Sequence, residues 1–438
     1  MSTTRPPLPG GPYLVVGLAR SGVAAALALR ARDERVVGVD AGRPDIGRLA
    51  DAGVEVHLDD QGDRLLDGVG TLVKSPGVPH TAPVVEAARA RGIAVVGELE
   101  LAWRMLPNEL IAVTGTNGKT TTTELLGHVH RTAAVQVAVA GNVGTPVSAL
   151  VGEIPPGTTV VCEASSFQLE DTIAFAPEAA VLLNLAPDHL DRHGSFVEYR
   201  EAKLNAFRRQ GPDAVAVVPS DLGIDVPGSA RRVTFGENGD MCLADGMLSW
   251  RGEPFMDAGE ISLPGPHNRA NAMAAAAVAL ERGIEPEAVR AGLRSFRGVA
   301  HRLEPVGTVD GVAYVNDSKA TNVDAALVAL RSYEAGRIHL IAGGRTKAQD
   351  FAPLAPLAAE RCAAVYLIGE GADEIGAALA RSGVALHDCG DIERALRAAR
   401  AAARPGDVVL LSPACASFDQ FADFEARGDA FRALVEAL

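Results

Sequence analysis

Short runs of β-branched and aliphatic residues alternate with helix-like stretches from Tyr13 almost to the end of the chain. That alternation limits the fold more than any other feature, because a strand followed by a crossover helix returns as the next parallel strand of the same sheet. Tyr13 to Val16, Val36 to Val39, Thr71 to Lys74 and Ile93 to Val96 predict a first set of strands, with helices over Gly22 to Arg32 and Ala82 to Arg91. A second cycle begins at Leu110 to Val113 and continues through Val135 to Ala140, Thr159 to Cys162, Ala180 to Leu183 and Ala214 to Val218. The pattern is irregular from Arg231 to Ile261, with a hairpin-like segment at Leu243 to Arg251, and two helices follow around Asn271 to Arg282 and Glu285 to Phe296. A third cycle has strands at Val312 to Val315, Ile338 to Ile341, Ala364 to Ile368 and Val408 to Leu411. The restarts near Gly97 and Gly298 predict three α/β domains, 1–97, 98–298 and 299–438, and 438 residues suit that number at about 150 residues each.

Composition narrows the function classes. Aromatic residues are only 4% of the chain against 47% apolar residues, which suits small-residue helices packed closely on parallel strands. Lys and Arg number 41 and Asp and Glu 55, a net charge of −14 that repels phosphate backbones, so nucleic acid is not an expected partner. No apolar run approaches the ~18 residues of a membrane helix, and the Pro-rich start from Met1 to Pro9 lacks the charged and apolar regions of a secretory leader. Five widely spread cysteines form no Cys-x-x-Cys pair, so a reducing cytoplasm is the expected compartment, with no membrane insertion.

The sharpest motif is Val113-Thr114-Gly115-Thr116-Asn117-Gly118-Lys119-Thr120-Thr121, which follows an apolar strand and opens a helix. Backbone amides there can cradle phosphates, Lys119 can neutralise the β and γ oxygens, and the Thr120 hydroxyl can ligate magnesium. It is a variant phosphate loop: Val113 stands where the usual leading glycine would be, and Gly115 takes over that role. The plain alternative is a Gly-rich turn with a surface lysine. Glu163-Ala164-Ser165-Ser166-Phe167-Gln168 follows another strand, where Glu163 can share the magnesium or simply face water. His189, within Asn184 to Arg192, is a ligand or acid/base candidate, although a structural histidine fits as well. Lys203, in the helical run from Tyr199, reads locally as a solvated lysine.

Asn268 and Asn271 open an Ala-rich helix, where one can cap it and the other can meet a purine edge. Arg302 and Asp317 suit a phosphate and a ribose, and the Asn316 to Asn322, Gly343 to Lys347 and Ser412 to Ser417 runs offer polar groups for an anionic ligand. Near the N-terminus, Gly17-Leu18-Ala19-Arg20-Ser21-Gly22 with Asp40 imitates a dinucleotide fingerprint imperfectly, because Ala19 replaces its middle glycine. An NAD-dependent oxidoreductase and a non-catalytic nucleotide-binding regulator therefore remain alternative readings.

Together these motifs, in this order, resemble the Mur ligase family, the ATP-dependent amide-bond ligases of bacterial cell-wall precursor synthesis. The Asn316 to Asn322 and Leu411 to Ser417 runs are most similar to the members that add D-glutamate to UDP-N-acetylmuramoyl-L-alanine. The resemblance implies a Rossmann-like domain for the uridine nucleotide, a central parallel-sheet ATPase domain with the phosphate loop, and a Rossmann-like C-terminal domain for ATP and the amino acid. It implies ATP and two magnesium ions as cofactors, the enzyme acting as a monomer. Gly115, Thr116, Asn117, Gly118, Lys119, Thr120, Thr121, Asn271, Arg302 and Asp317 would then meet ATP. Thr120, Glu163, His189 and a carbamylated Lys203 would meet the metals, and Lys119, His189, Lys203 and Arg302 would carry the catalysis. Ser21, Ser75, Gly77, Asn142, Ser165 and Gln168 would face the UDP-linked substrate, and Thr321, Lys347, Ser417 and the backbone near Phe424 would face D-glutamate. A relative using another amino acid, such as an L-alanine-adding or folylpolyglutamate-type ligase, is the alternative within the same chemistry.

Overall fold

Tyr13–Val16 (β1), Val36–Asp40 (β2), Glu55–Leu58 (β3), Thr71–Lys74 (β4) and Ala94–Gly97 (β5) pair in parallel in the order β3-β2-β1-β4-β5 in the computed structural model. The model describes residues 5–263, 265–346 and 349–438. β1 and β4 lie inside this sheet, and all their residues are buried, which is why they read as unbroken apolar runs in the sequence. Burying each Val or Leu there is worth about 1.5–3 kcal/mol. This strand order is that of the doubly wound Rossmann arrangement without its sixth strand.

The second sheet has nine strands: Leu110–Thr114 (β6), Val137–Gly141 (β7), Thr159–Glu163 (β8), Ala179–Leu182 (β9), Val215–Pro219 (β10), Arg231–Phe235 (β11), Met241–Ala244 (β12), Met247–Trp250 (β13) and Glu253–Asp257 (β14). Their order is β14-β13-β12-β11-β10-β9-β6-β8-β7, parallel from β7 to β12 and antiparallel in the β12-β13-β14 meander. The stretch that looked irregular from Arg231 onward thus begins with a strand, β11, that continues the main sheet. Completely buried β6 sits between β8 on one side and β9 on the other. The crossovers change direction across β6, and such a switch point opens a crevice at the carboxyl ends of the strands.

The Ala-rich helix spans Pro266–Glu281 and starts earlier than its sequence pattern suggests, with Gly265 as N-cap and no side-chain cap. Proline fits the first helical position because its missing N–H has no partner to lose there. Neither asparagine caps the helix; the Asn271 side chain donates to Asn268 Oδ1 at 3.3 Å. Asn271 through Ala279 are buried without a polar face, so this helix is interior, packed on the helix Lys119–Thr132 and on β10 and β11.

Glu304–Val309 (β15), Val312–Asn316 (β16), Ile338–Gly343 (β17), Cys362–Ile368 (β18), Ala385–Gly390 (β19) and Val408–Leu411 (β20) form a third sheet in the order β15-β16-β20-β17-β18-β19. It is parallel except for the β15 edge. The first two sheets belong to one compact unit reaching to Phe296, and the third belongs to a second unit, Arg297–Leu438. Among the described residues no helix is long and apolar enough to cross a membrane, and the five cysteines form no disulfide.

Candidate active site

The loop between β6 and the helix Lys119–Thr132 turns on two glycines. Gly115 has φ 147° and Gly118 φ 83°, backbone regions that a side chain strains. A Cβ on Gly118 would also collide with the side-chain amide of buried Asn271. Asn271 is therefore placed against the phosphate loop itself. The loop tip is fixed from β9: Asn117 N–H donates to Asn184 Oδ1 at 2.8 Å, and Asn184 Nδ2 donates back to the Asn117 carbonyl at 3.1 Å. Thr116 Oγ1 accepts from Ala186 N–H and from the Tyr199 hydroxyl, both at 3.0 Å. Neither Asn184 nor Tyr199 was assigned a role from the sequence. Their only signal was position, at a strand end and in the run that holds Lys203.

Two lysines converge on this loop. Lys119 Nζ donates to the carbonyls of Gly115 at 3.0 Å and Thr116 at 2.9 Å, and Lys203 Nζ donates to the same Gly115 carbonyl at 2.7 Å. Lys203 is 1% exposed and lies 4.5 Å from the face of the Tyr199 ring, so the solvated reading does not hold. Burial, with the nearby Lys119 charge adding to it, pulls the Lys203 ammonium down to about 7 against the opposing pull of Asp188 and Glu163. An amine in that range is neutral often enough to act as a nucleophile at neutral pH.

Glu163 ends β8 and is in register with Val113 of β6, directly beside the start of the loop. It is 3% exposed and does not face water; Asn142 Nδ2 donates to its Oε1 at 3.1 Å. Thr120 is buried at the start of the adjoining helix. His189 adopts φ 52° at the head of the short helix Leu190–His193, half exposed, its ring 4.9 Å from Phe167 and Nε2 3.6 Å from Asp188 Oδ2. Among the described residues no three His, Cys, Asp or Glu form a ready-made metal cage. A threonine hydroxyl at the start of the helix Lys119–Thr132 and one carboxylate at the end of β8 nevertheless fit magnesium, which completes its shell with phosphate and water.

Ser165 and Gln168 are both buried and engage each other. Gln168 N–H donates to Ser165 Oγ at 3.3 Å, and Ser165 N–H donates to Gln168 Oε1 at 3.0 Å, a capping box on the turn after Glu163. In the first sheet, Ser75 Oγ donates to the Gly17 carbonyl at 2.6 Å, tying the β4 loop to the β1 loop. Gly77 is exposed beyond it, and Ser21 lies in the first turn of the helix Arg20–Arg30. Asp40 accepts from Leu18 N–H at 2.6 Å and Gly42 N–H at 2.8 Å, so the carboxylate that a dinucleotide site would aim at a ribose is committed to backbone. That weakens the oxidoreductase reading.

In the second unit, Asp317 follows β16, 5% exposed, accepting from Ser412 Oγ at 2.7 Å and Leu303 N–H at 3.1 Å. Burial raises its carboxyl to about 7, against those hydrogen bonds and the Arg302 charge. Arg302 is exposed, its N–H donating to the Val299 carbonyl. Ser417 is buried, whereas Thr321 and Phe424 are partly exposed. Lys347 lies outside the described residues. What the sequence did not reveal is Arg427. Fully buried, its guanidinium donates to Ser318 Oγ and the Ser318 carbonyl at 2.9 Å, and to the carbonyls of Cys415 at 3.1 Å and Ala416 at 3.3 Å. It pins the loops after β16 and β20 together, and its position in an ordinary helix carried no signal. Separately, a cleft of about 370 Å³ is lined by His80, Arg89, Glu170, Asp171, His193 and Arg208 among others, and no sequence-predicted site residue lines it.

Comparison with known proteins agrees with this arrangement. Residues 12–97 match the Mur ligase MurD-like N-terminal domain, residues 113–279 the Mur ligase middle domain, and residues 301–415 the Mur ligase glutamate ligase domain. The UDP-N-acetylmuramoylalanine–D-glutamate ligase of Pelotomaculum thermopropionicum is 44% identical over 97% of this chain and 97% of its own. The ligase of the same name from Frankia casuarinae is 44% identical over 98% of this chain and 94% of its own. Among solved structures, the UDP-N-acetylmuramate-alanine ligase of Thermotoga maritima superposes with a TM-score of 0.59 at 20% identity, covering 98% of this chain and 100% of that one, a likeness of fold. With three family regions matched in chain order and such identity over nearly the whole length, this chain belongs to the Mur ligase family.

Proposed function

We infer that the protein is an ATP-dependent ligase that joins D-glutamate to the alanyl carboxylate of UDP-N-acetylmuramoyl-L-alanine in peptidoglycan precursor synthesis. The substrates are suggested by the relatives' names, and one observation in the chain carries the chemistry: a buried lysine, brought close to neutrality, shares a phosphate-loop carbonyl with the loop's own lysine. A phosphate loop alone would suit many nucleotide-binding proteins. A second, nearly neutral amine beside it suits a site that makes a carbamate, turning a cation that repels Lys119 into an anion that attracts it.

A carboxylate is a poor acyl donor, so ATP is taken to phosphorylate it, giving an acyl phosphate that the amine of D-glutamate attacks. ADP, phosphate and the UDP-linked dipeptide are the products. Lys119 and Arg302 offset the charge that builds up where phosphate and carboxylate meet. Gly115, Thr116, Gly118 and Thr121 shape the phosphate cradle, Asn117 is held through Asn184, and Asn271 buttresses Gly118. Thr120 and Glu163 would hold one magnesium ion, and His189 with carbamylated Lys203 a second; bound magnesium would screen the oxygens of the transferring phosphoryl group. Asp317 is assigned to the ribose, Ser21, Ser75, Gly77, Asn142, Ser165 and Gln168 to the UDP-linked substrate, and Thr321, Lys347, Ser417 and Phe424 to D-glutamate. The division at 97/98 and 298/299, a monomeric state and a cytoplasmic site of action belong to the same reading.

An ADP-release assay with UDP-N-acetylmuramoyl-L-alanine and a panel of amino acids tests it. D-glutamate should be the amino acid that drives turnover. Product formation with L-alanine and none with D-glutamate would reject the assignment.

A further inference from the structure

Four groups close a ring of hydrogen bonds behind the turn that carries Ser75 and Gly77. Lys74 Nζ donates to the Val78 carbonyl at 2.8 Å and approaches Glu170 Oε1 at 3.3 Å. An Arg192 terminal nitrogen donates to the same Glu170 Oε1 and to the same Val78 carbonyl, both at 3.0 Å, and reaches the Pro76 carbonyl at 3.3 Å. Asp171 Oδ2 pairs with Lys74 Nζ at 2.7 Å, Arg89 approaches Asp171 Oδ1 at 4.0 Å, and His193 Nδ1 lies 3.7 Å from Glu170 Oε2. The cluster is mostly buried, with Glu170 and Asp171 reaching the wall of the cleft: Lys74 side-chain exposure is 0%, Asp171 2%, Glu170 14% and Arg192 16%.

The members of the ring come from separate parts of the first unit. Lys74 ends β4 and leads into the Ser75-Pro76-Gly77-Val78 turn. Glu170 lies two residues past Gln168, at the end of the short helix Ser166–Leu169 that follows Glu163. Arg192 lies three residues past His189 in the helix Leu190–His193. Its guanidinium also covers the Phe167 ring at 4.6 Å, and Phe167 faces the His189 ring at 4.9 Å. A buried ionic cluster is a poor device for stability alone, because apolar side chains of similar volume stabilise at least as well. What it does supply is direction. Two cations aimed at carbonyls on either side of Gly77 fix the backbone of that turn relative to the His189 segment.

We propose that Glu170 and Arg192 are positioning residues of the ligase, clamping the turn that faces the UDP-linked substrate to the segment that carries His189, so that substrate binding and magnesium binding reinforce each other. This rests on the functional reading above. Neither residue touches a reacting atom; each acts through the backbone it holds. Arg192→Lys keeps the charge but gives up the flat guanidinium that lies over the Phe167 ring while one of its nitrogens meets three oxygens, and Glu170→Gln keeps the shape but removes the negative charge that Lys74 and Arg192 share.

The test uses the full chain as wild type, Glu170→Gln, Arg192→Lys and the double variant. ADP release is measured while UDP-N-acetylmuramoyl-L-alanine, D-glutamate and magnesium are varied in turn, and thermal unfolding is followed alongside. Each single variant should raise KM for the UDP-linked substrate about tenfold, and the magnesium needed for half-maximal rate should rise with it. KM for D-glutamate should stay within about twofold, and the double variant should be no worse than the poorer single one, since the pair acts as a unit. Folded variants with wild-type KM for the UDP-linked substrate and wild-type magnesium dependence would overturn the clamp, as would an equal rise in every KM. If Glu170→Gln fails to fold, Arg192→Lys, which preserves the charge at its position, decides alone. A wild-type chain that releases no ADP with D-glutamate would instead refute the functional reading, and the clamp's role with it.

Discussion

Replacing Lys203 by arginine separates the two things this side chain can do. As an ammonium it donates to the Gly115 carbonyl at 2.7 Å under the Tyr199 ring, and a guanidinium can keep that donation. As an amine it can add carbon dioxide to give a carbamate, and a guanidinium cannot. Its titration near 7 leaves about half of the side chains neutral at pH 7, whereas an ordinary lysine, near 10.5, would leave roughly one in three thousand. Carbamate formation should therefore rise as pH increases through about 7, observable by 13C NMR after equilibration with labelled bicarbonate. On the proposed carbamate reading, loss of that anion should cost about 100- to 1,000-fold in kcat for both Lys203→Arg and Lys203→Ala. Short carboxylic acids should restore part of the rate to Lys203→Ala, because the truncated side chain leaves room for one. Full activity of Lys203→Arg would refute the reasoning, as would a wild-type enzyme with no labelled carbamate and an alanine variant that no carboxylate rescues. Lys203 would then be a pin for the phosphate loop.

Lys119→Ala should lower turnover at least about 1,000-fold while leaving the unfolding midpoint nearly unchanged, because its ammonium meets loop carbonyls and contributes no core packing; a folded variant with wild-type turnover would contradict the phosphate role. Gly118→Ala should destabilise the protein by about 1–2 kcal/mol from left-handed backbone strain and displace Asn271, seen as a lower midpoint in urea together with a raised KM for ATP. Buried Glu98 accepts from Ser148 N–H and Oγ, but desolvation dominates and raises its carboxyl above the usual range. Its contribution to stability is thus fully present below about pH 4.5 and is lost as pH rises through the higher folded value. Glu98→Gln should remove that downward slope, and identical pH–stability curves would dismiss it. Arg427→Met should cost about 3 kcal/mol or more by orphaning buried acceptors of the loops after β16 and β20, and it should raise KM for D-glutamate.

The phosphate loop was readable because its requirements are local: Gly115 and Gly118 take backbone angles that a side chain strains, and the strand before them is buried on every residue. The inner strands were readable for the same reason, as apolar runs covered on both faces. The strands that escaped were mainly edges or near-edges. β3, β15 and β19 each have one neighbour and mostly polar or exposed residues, such as the Ala-Leu-His-Asp-Cys-Gly of β19, so nothing in their composition separates them from loop. β11 begins with two exposed arginines and is a strand because β10 pairs with it.

Lys203 marks the boundary between the two kinds of knowledge. Its helix and its place in a family motif followed from neighbouring residues, whereas its depressed titration comes from burial beside Gly115, 88 residues earlier in the chain. The same holds for Asn184 bracing Asn117, for Arg427 joining two loops, and for Lys74 and Arg192 meeting at the Val78 carbonyl. Backbone angles and apolar periodicity depend on residues a few positions apart, so sequence alone determined the strand–loop–helix grammar and the family motifs. Desolvation and hydrogen-bond partnership depend on which distant segments exclude water from a side chain, and those were decided only when the chain folded.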